Sequence, residues 1–217
     1  MQTLILMLNN IKITDISKTK KGYNALFCDN GFLFSVDDLI LIQEKINIGS
    51  CFTQQELNLI YEKSCTSKAV QKAYNLLSYR SHSRKELYTK LCKNFDADCA
   101  NAACDKMEDI GLINDEEYCK AKTEYLINTK KCSLSETRLK LLTLGINKDI
   151  IECCIQSYSE DTQADNLLHL LQTKYRTKLS QPDKVIAALM RKGFRYSEIR
   201  CALKSLNIET EDENQWL

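Results

Sequence analysis

Ala73-Tyr74-Asn75-Leu76-Leu77-Ser78-Tyr79-Arg80-Ser81-His82-Ser83-Arg84-Lys85-Glu86-Leu87-Tyr88-Thr89-Lys90-Leu91 reads as a helix, a short corner and a second helix. Ala73, Leu76, Leu77 and Arg80 fall at i, i+3, i+4 and i+7, so three apolar groups share one helical face. Ser83 can cap the second helix, and Glu86 three residues on completes a capping box. Leu87, Tyr88, Leu91 and Cys92 then form a second apolar stripe.

The pattern returns down the chain. A helix with Cys99, Ala100, Ala103, Cys104 and Met107 on one face ends at Gly111. Asn114 and Glu117 cap the next helix, whose expected inner face is Tyr118, Ala121 and Tyr125. Ser133 and Glu136 cap a helix burying Leu141 and Leu142, and Ile150, Ile151, Cys154 and Ile155 line its successor. Then come stripes at Ala164, Leu167, Leu168, Leu171 and Tyr175, at Val185, Ile186 and Leu189 after Pro182, and at Ile199, Ala202, Leu203 and Leu206. Phe95, Ile146 and Phe194 mark equivalent corners, 51 and then 48 residues apart. Periods of this size signal stacked helical units that bury their faces against neighbours.

Ahead of these units lies the chain's one β signal. Ile11, Ile13 and Ile16 suggest a first strand, Tyr23 to Cys28 a second, and Phe32 to Val36 a third across an Asn30-Gly31 turn. Such a meander must pack on something, and helices expected at 37–44 and 53–63, the second capped by Thr53 and Glu56, can supply it. The expected fold is therefore mainly α. A small α+β module with a three-stranded β-meander (1–65) precedes three tandem three-helix repeats (66–113, 114–159 and 160–208), forming an elongated curved array, and an acidic tail (209–217) closes the chain.

Composition narrows the function classes. One Pro and six Gly in 217 residues suit a helical protein. The eleven Cys never form Cys-x-x-Cys and only His82 and His169 accompany them, so no metal site is expected. The thiols fit small core residues in a reducing cytoplasm. Leu4 to Leu8 is too short to span a bilayer and lacks a basic flank or cleavage site, so it suggests an edge strand or cover. No glycine-rich phosphate loop, His-x-x-x-His or Gly-x-Ser-x-Gly occurs, and no catalytic residue or cofactor is expected.

Net charge is only +1, but it is blocked. Six bases face one acid over 71–95, one base faces eight acids over 96–119, and six bases face two acids over 183–204. The tail Glu209–Glu213 adds four acids. Such patches suit docking onto a protein of mixed charge, and equally suit solvated helix faces.

Ala73 to Arg80, Ser83 to Leu87, Gly111 to Tyr118, Leu144-Gly145-Ile146 and Arg191 to Tyr196 together resemble the RecX family, bacterial modulators of the RecA recombinase. The resemblance covers 66 to about 206, and the preceding segment, with Phe32 to Val36, looks like the extension of longer members. Departures are Lys93-Asn94-Phe95 in place of Lys-Gly-Phe, a corner one residue tighter, Leu144 where a Lys is usual, and Lys131-Cys132-Ser133 replacing a Gly-containing corner. The resemblance implies a non-enzymatic, monomeric, cytoplasmic regulator that lies in the groove of a RecA filament on single-stranded DNA. It would lower the filament's ATPase, growth and strand exchange in recombination and repair. Contacts are placed on the basic faces: Arg80, Arg84 and Lys85 in the first repeat, Arg138 and Lys140 in the second, and Arg191, Lys192, Arg195 and Arg200 in the third. Arg80 also has a competing structural role beside Leu77. The rival readings are a helical module that binds DNA directly through Tyr79, Arg80 and Arg84, and a scaffold for another protein. No membrane association is expected.

Overall fold

The structure, a computed structural model, describes residues 10–208; the apolar run at 4–8 and the acidic tail lie outside the described residues. The chain is mainly helical with a small antiparallel β portion near its start. It divides into two compact units, residues 10–81 with 87–113, and His82–Glu86 with 114–208.

In the first unit, β2 (Asp15–Lys18), β3 (Asn24–Cys28) and β4 (Gly31–Val36) form the antiparallel meander. The isoleucine run before it does not make one strand. Ile11 belongs to β1 (Asn10–Lys12), which pairs in a separate ladder with β5 (Cys51–Thr53), a strand with no sequence signal beyond Phe52. Ile13 between the two ladders is fully buried, and its N–H donates to Ser50 O at 2.9 Å. Helix α1 (Asp38–Gln43) is capped by Asp37, and Ile40 closes a core with Leu26, Val36, Ile46 and Ile60.

Helix α2 (Gln54–Leu77) begins at the expected capping box: the Thr53 N–H donates to Glu56 Oε2 at 2.7 Å and the Glu56 N–H to Thr53 Oγ1 at 3.3 Å. It runs for 24 residues without a break, where the sequence pattern suggested two helices; the 65/66 boundary falls inside it. Its middle supports the sheet, where Ser64 Oγ donates to Ser35 O at 2.6 Å and Lys68 lies 5.1 Å from the Tyr23 ring centroid. Its C-terminal half packs along α4 (Ala97–Asp109). There Ala69 and Ala73 meet Leu87 and Leu91 of α3 (Arg84–Leu91) and the five-residue α4 stripe in one buried cluster.

The second unit contains α5 (Asp115–Glu124), a π-helical turn (Tyr125–Thr129), α6 (Leu134–Thr143) and α7 (Lys148–Ile155), with α8 (Glu160–Gln172), α9 (Pro182–Met190) and α10 (Tyr196–Ser205) following. Its buried α5 face is not the expected one: Cys119 and Thr123 are buried, with Leu126 and Ile127 beyond, while Ala121 and Tyr125 are exposed. Asn166 of α8, itself buried, donates to Ile127 O at 2.9 Å and so satisfies a carbonyl within the π turn. Ala164, expected inside, is exposed, whereas Leu167, Leu171, Tyr175 and the expected α9 and α10 stripes form one core.

A single junction occurs twice in this unit. Ser83 caps α3, accepting from the Glu86 N–H at 3.1 Å, and its hydroxyl donates to Leu144 O at 2.6 Å. Fifty residues on, Ser133 caps α6, accepting from the Glu136 N–H at 3.0 Å and donating to Lys192 O at 2.5 Å. Both serines are fully buried. Each docks on a corner where a left-handed glycine follows, Gly145 with φ +80 and Gly193 with φ +82. At both corners the next hydrophobe's N–H reaches five residues back, Ile146 to Leu141 O and Phe194 to Leu189 O. At Asn94-Phe95 the corresponding bond reaches four, Phe95 to Leu91 O, so that corner is one residue tighter.

Candidate partner-binding surface

Eight of the nine basic candidates belong to the second unit; Arg80, exposed after α2, belongs to the first and donates to Ser81 O at 3.0 Å. Several of them have structural work. The Arg84 N–H donates to Asp115 Oδ1 at 2.9 Å. The stem of Lys85 lies over Gly145 so closely that a Cβ there would come within 2.1 Å of it. Arg138 makes a two-pronged pair with Glu152, at 2.6 and 2.8 Å, which raises the arginine pKa and lowers that of the carboxyl.

Lys140 and Lys192, distant in sequence, converge on Glu136 at 2.8 and 3.3 Å. Burial alone would raise the Glu136 pKa, but the Lys140 hydrogen bond and the Lys192 charge hold it below the usual value. Arg191 is exposed, and its Nε donates to Ala187 O at 3.2 Å. Arg195 is exposed at the start of α10, where its N–H donates to Glu198 Oε2 at 2.8 Å, and it shares a cleft with Glu160 and Asp161. Arg200 is half-buried on the same helix. The third-repeat candidates thus spread over more than one surface.

One densely positive cleft includes residues that the sequence reading missed. Lys122, Lys130, Lys140, Lys174 and Lys192 line one cleft of about 490 Å³ whose single carboxylate, among the described residues, is Glu136. The π turn builds its wall: the Lys130 N–H donates to Tyr125 O at 3.0 Å, the widened turn leaves the Tyr125 ring 42% exposed, and Lys131 takes φ 53. Lys122 and Lys130 each lie 5.4 Å from that ring's centroid. The i, i+3 spacing of Lys122 and Tyr125 was visible in sequence, but Tyr125 counted there as core.

This cleft offers charge rather than a nucleophile. Burial raises the Cys132 thiol, which keeps it protonated although Lys140 Nζ lies 3.3 Å away. In the first unit Cys65, Asp96 and Cys99 place three potential metal donors within 4.8 Å of one another. Burial, then the neighbouring Cys99, pushes the Cys65 thiol up to about 12, and Cys99 is raised as well. The Asp96 carboxylate also accepts from the Cys99 N–H at 2.8 Å, capping α4. No helix among the described residues is long and apolar enough to cross a membrane.

Residues 69–107 match the family model for the RecX first three-helix domain. The chain is 30% identical over 193 residues to the regulatory protein RecX of Listeria monocytogenes serotype 4a (strain HCC23), covering 85% of this chain and 71% of that one. The chain belongs to the RecX family. The regulatory protein RecX of Clostridioides difficile (strain 630) is 26% identical over 208 residues, covering 92% and 98% of the two chains. Two RecX crystal structures share the fold. One, of regulatory protein RecX, aligns over 92% of this chain and all of its own with a TM-score of 0.65 at 23% identity. The other, RecX from Lactobacillus salivarius, covers 67% of this chain and 98% of its own with a TM-score of 0.57 at 26% identity.

Proposed function

We propose that this chain is a non-enzymatic, monomeric, cytoplasmic regulator of the RecA recombinase. It binds the RecA filament on single-stranded DNA and lowers its ATPase, growth and strand exchange. The observation that carries this reading is the 30% identity to a regulatory protein RecX across 193 residues. The three repeats proposed over 66–113, 114–159 and 160–208 each bring basic residues to the filament, so several weak contacts act as one tight one. Preference for one filament state over another shifts assembly by the difference in affinity.

The exposed Arg191 and Arg195 are the third unit's contacts, whereas Arg138 must exchange Glu152 for a partner carboxylate. Co-sedimentation of the purified chain with RecA filaments tests the reading. The parent pellets with filaments, and R191E/R195E pellets less. A folded parent that stays in the supernatant overturns the proposal; a double variant that pellets like the parent removes those two arginines from the interface.

A further inference from the structure

We infer that Cys65, Asp96 and Cys99 form a binding site for a thiophilic divalent cation of the zinc class, which staples α2 to α4 in the first unit. Their ligand atoms all lie within 4.8 Å of one another, two thiols and a carboxylate converging from two helices. Asp96 and Cys99 share the start of α4, whereas Cys65 comes from the middle of α2, 31 residues before Asp96. The trio therefore assembles only in the fold, and no short cysteine spacing announces it.

The spacing suits a tetrahedral ion. Bonds of about 2.3 Å to sulfur and about 2.0 Å to oxygen hold those two ligand atoms about 3.5 Å apart. Cys65 Sγ stands 3.6 Å from Asp96 Oδ2, and its S–H donates across that gap. The thiol proton thus lies between the two atoms that a cation would bridge. Asp96 can serve helix and metal together. Its Oδ1 accepts the Cys99 N–H at 2.8 Å, which leaves Oδ2 for the cation. That backbone bond also holds the carboxyl below its usual pKa, so the ligand is charged.

The surroundings suit thiolates. Cys99 lies in the first turn of α4, where the helix end favours negative charge. Its sulfur accepts from the Thr66 hydroxyl at 3.7 Å, an outer bond of the kind that orients a metal ligand. Both cysteines are buried, and burial raises both thiols, so the cation must displace two protons to the medium; no electron is exchanged. Asp96 is exposed, which leaves the fourth position to water. Two sulfurs and one carboxylate select zinc over magnesium or calcium, which take oxygen ligands. The role is mechanical. Cys65 sits where α2 passes from the sheet, held by Ser64 on Ser35 O, to the helices packed along α4.

The inference does not depend on recombinase binding, and its test uses the purified full chain, kept reduced, with metal salts alone. Co2+ is titrated in as a spectroscopic stand-in for Zn2+. The parent develops the sulfur-to-cobalt charge-transfer band and intense visible bands of a tetrahedral site, and Zn2+ bleaches them. C65S/C99S loses the bands, and D96N, whose amide still caps α4, binds at least about tenfold more weakly. C153S/C201S, at exposed cysteines, keeps them. Because buried substitutions can unfold a chain, X-ray absorption of the parent's one-zinc form supplies a variant-free reading: two sulfurs at about 2.3 Å, with oxygen at about 2.0–2.2 Å. Zn2+ at about a hundred times its Kd raises the folded-to-unfolded ratio in urea about a hundredfold, and Mg2+ leaves it unchanged. No cobalt–sulfur band in the folded parent, bands that persist in C65S/C99S or vanish in C153S/C201S, a D96N chain that binds like the parent, an oxygen-only zinc shell, or equal stabilisation by Mg2+ would each overturn the site.

Discussion

The two serine-on-corner junctions share a hydrogen-bond skeleton and differ in what surrounds it. At the first, the serine meets Leu144 O and the glycine lies under Lys85, from its Cβ to its Cδ. At the second, the residue before the glycine is Lys192, whose ammonium joins Lys140 on Glu136, and the glycine faces Ser135 Cβ and Ser133 Oγ. The backbone geometry is thus the common requirement, and at the second copy Glu136 is paired with Lys140 and Lys192 beside it. The lysine cleft has grown around that copy.

The strongest contrast comes from the glycines. Gly193→Ala sets a Cβ 2.8 Å from Ser135 Cβ and 2.9 Å from the capping hydroxyl, at a φ that disfavours any side chain. A loss of about 3 kcal/mol in urea unfolding is expected, with a larger loss for Gly145→Ala, because Lys85 Cβ would stand 2.5 Å from the added Cβ and is fixed by the backbone. K85A/G145A removes the contacts with Lys85 Cγ and Cδ but keeps the one with Cβ at 2.5 Å, so most of the loss should remain. Equal losses at the two glycines would show the packing difference to be irrelevant.

Next are the serines. Ser83→Ala and Ser133→Ala each remove a cap and a bond to the opposing corner, and each should cost about 2 kcal/mol by the same measurement. Comparable values would establish that the skeleton is common to both copies; a silent S83A would confine it to the second.

The Glu136 ion pair predicts a pH dependence at the second junction. Glu136 has a depressed folded pKa, so its contribution is present above its ordinary value of 4.5 and lost as pH falls through the lower folded value. The parent should be more stable than E136Q by about 1 kcal/mol at pH 7, with the gap closing below pH 4.5. The smallest effect belongs to Arg138, whose pair with Glu152 is partly exposed: R138A should cost less than about 1 kcal/mol, and a double-mutant cycle with E152A isolates it.

Much of this skeleton was legible in the sequence because it rests on local rules. Thr53, Asn114 and Ser133 cap where side-chain oxygens precede helical stripes, the five-residue α4 face is fully buried, and Gly145 and Gly193 end helices. What escaped depends on distant partners or on a change of helical period. The β1–β5 ladder joins segments some forty residues apart, and α2 continues through 66 because nothing there breaks a helix. The π turn rotates Tyr125 out of the stripe that a 3.6-residue period assigns it. Lys122, Lys174 and Lys192 come from three separate segments, so their convergence has no spacing to read. Charge blocks counted along the chain located the bases but not the acids, such as Glu152 and Glu136, that occupy some of them.

The central functional claim is regulation of a recombinase, and the most direct measurement is the ATPase rate of RecA on single-stranded DNA as the purified chain is titrated in. The account predicts a saturable fall in rate, shifted to higher concentration by R191E/R195E. A rate that stays flat through a molar excess of folded chain would contradict it.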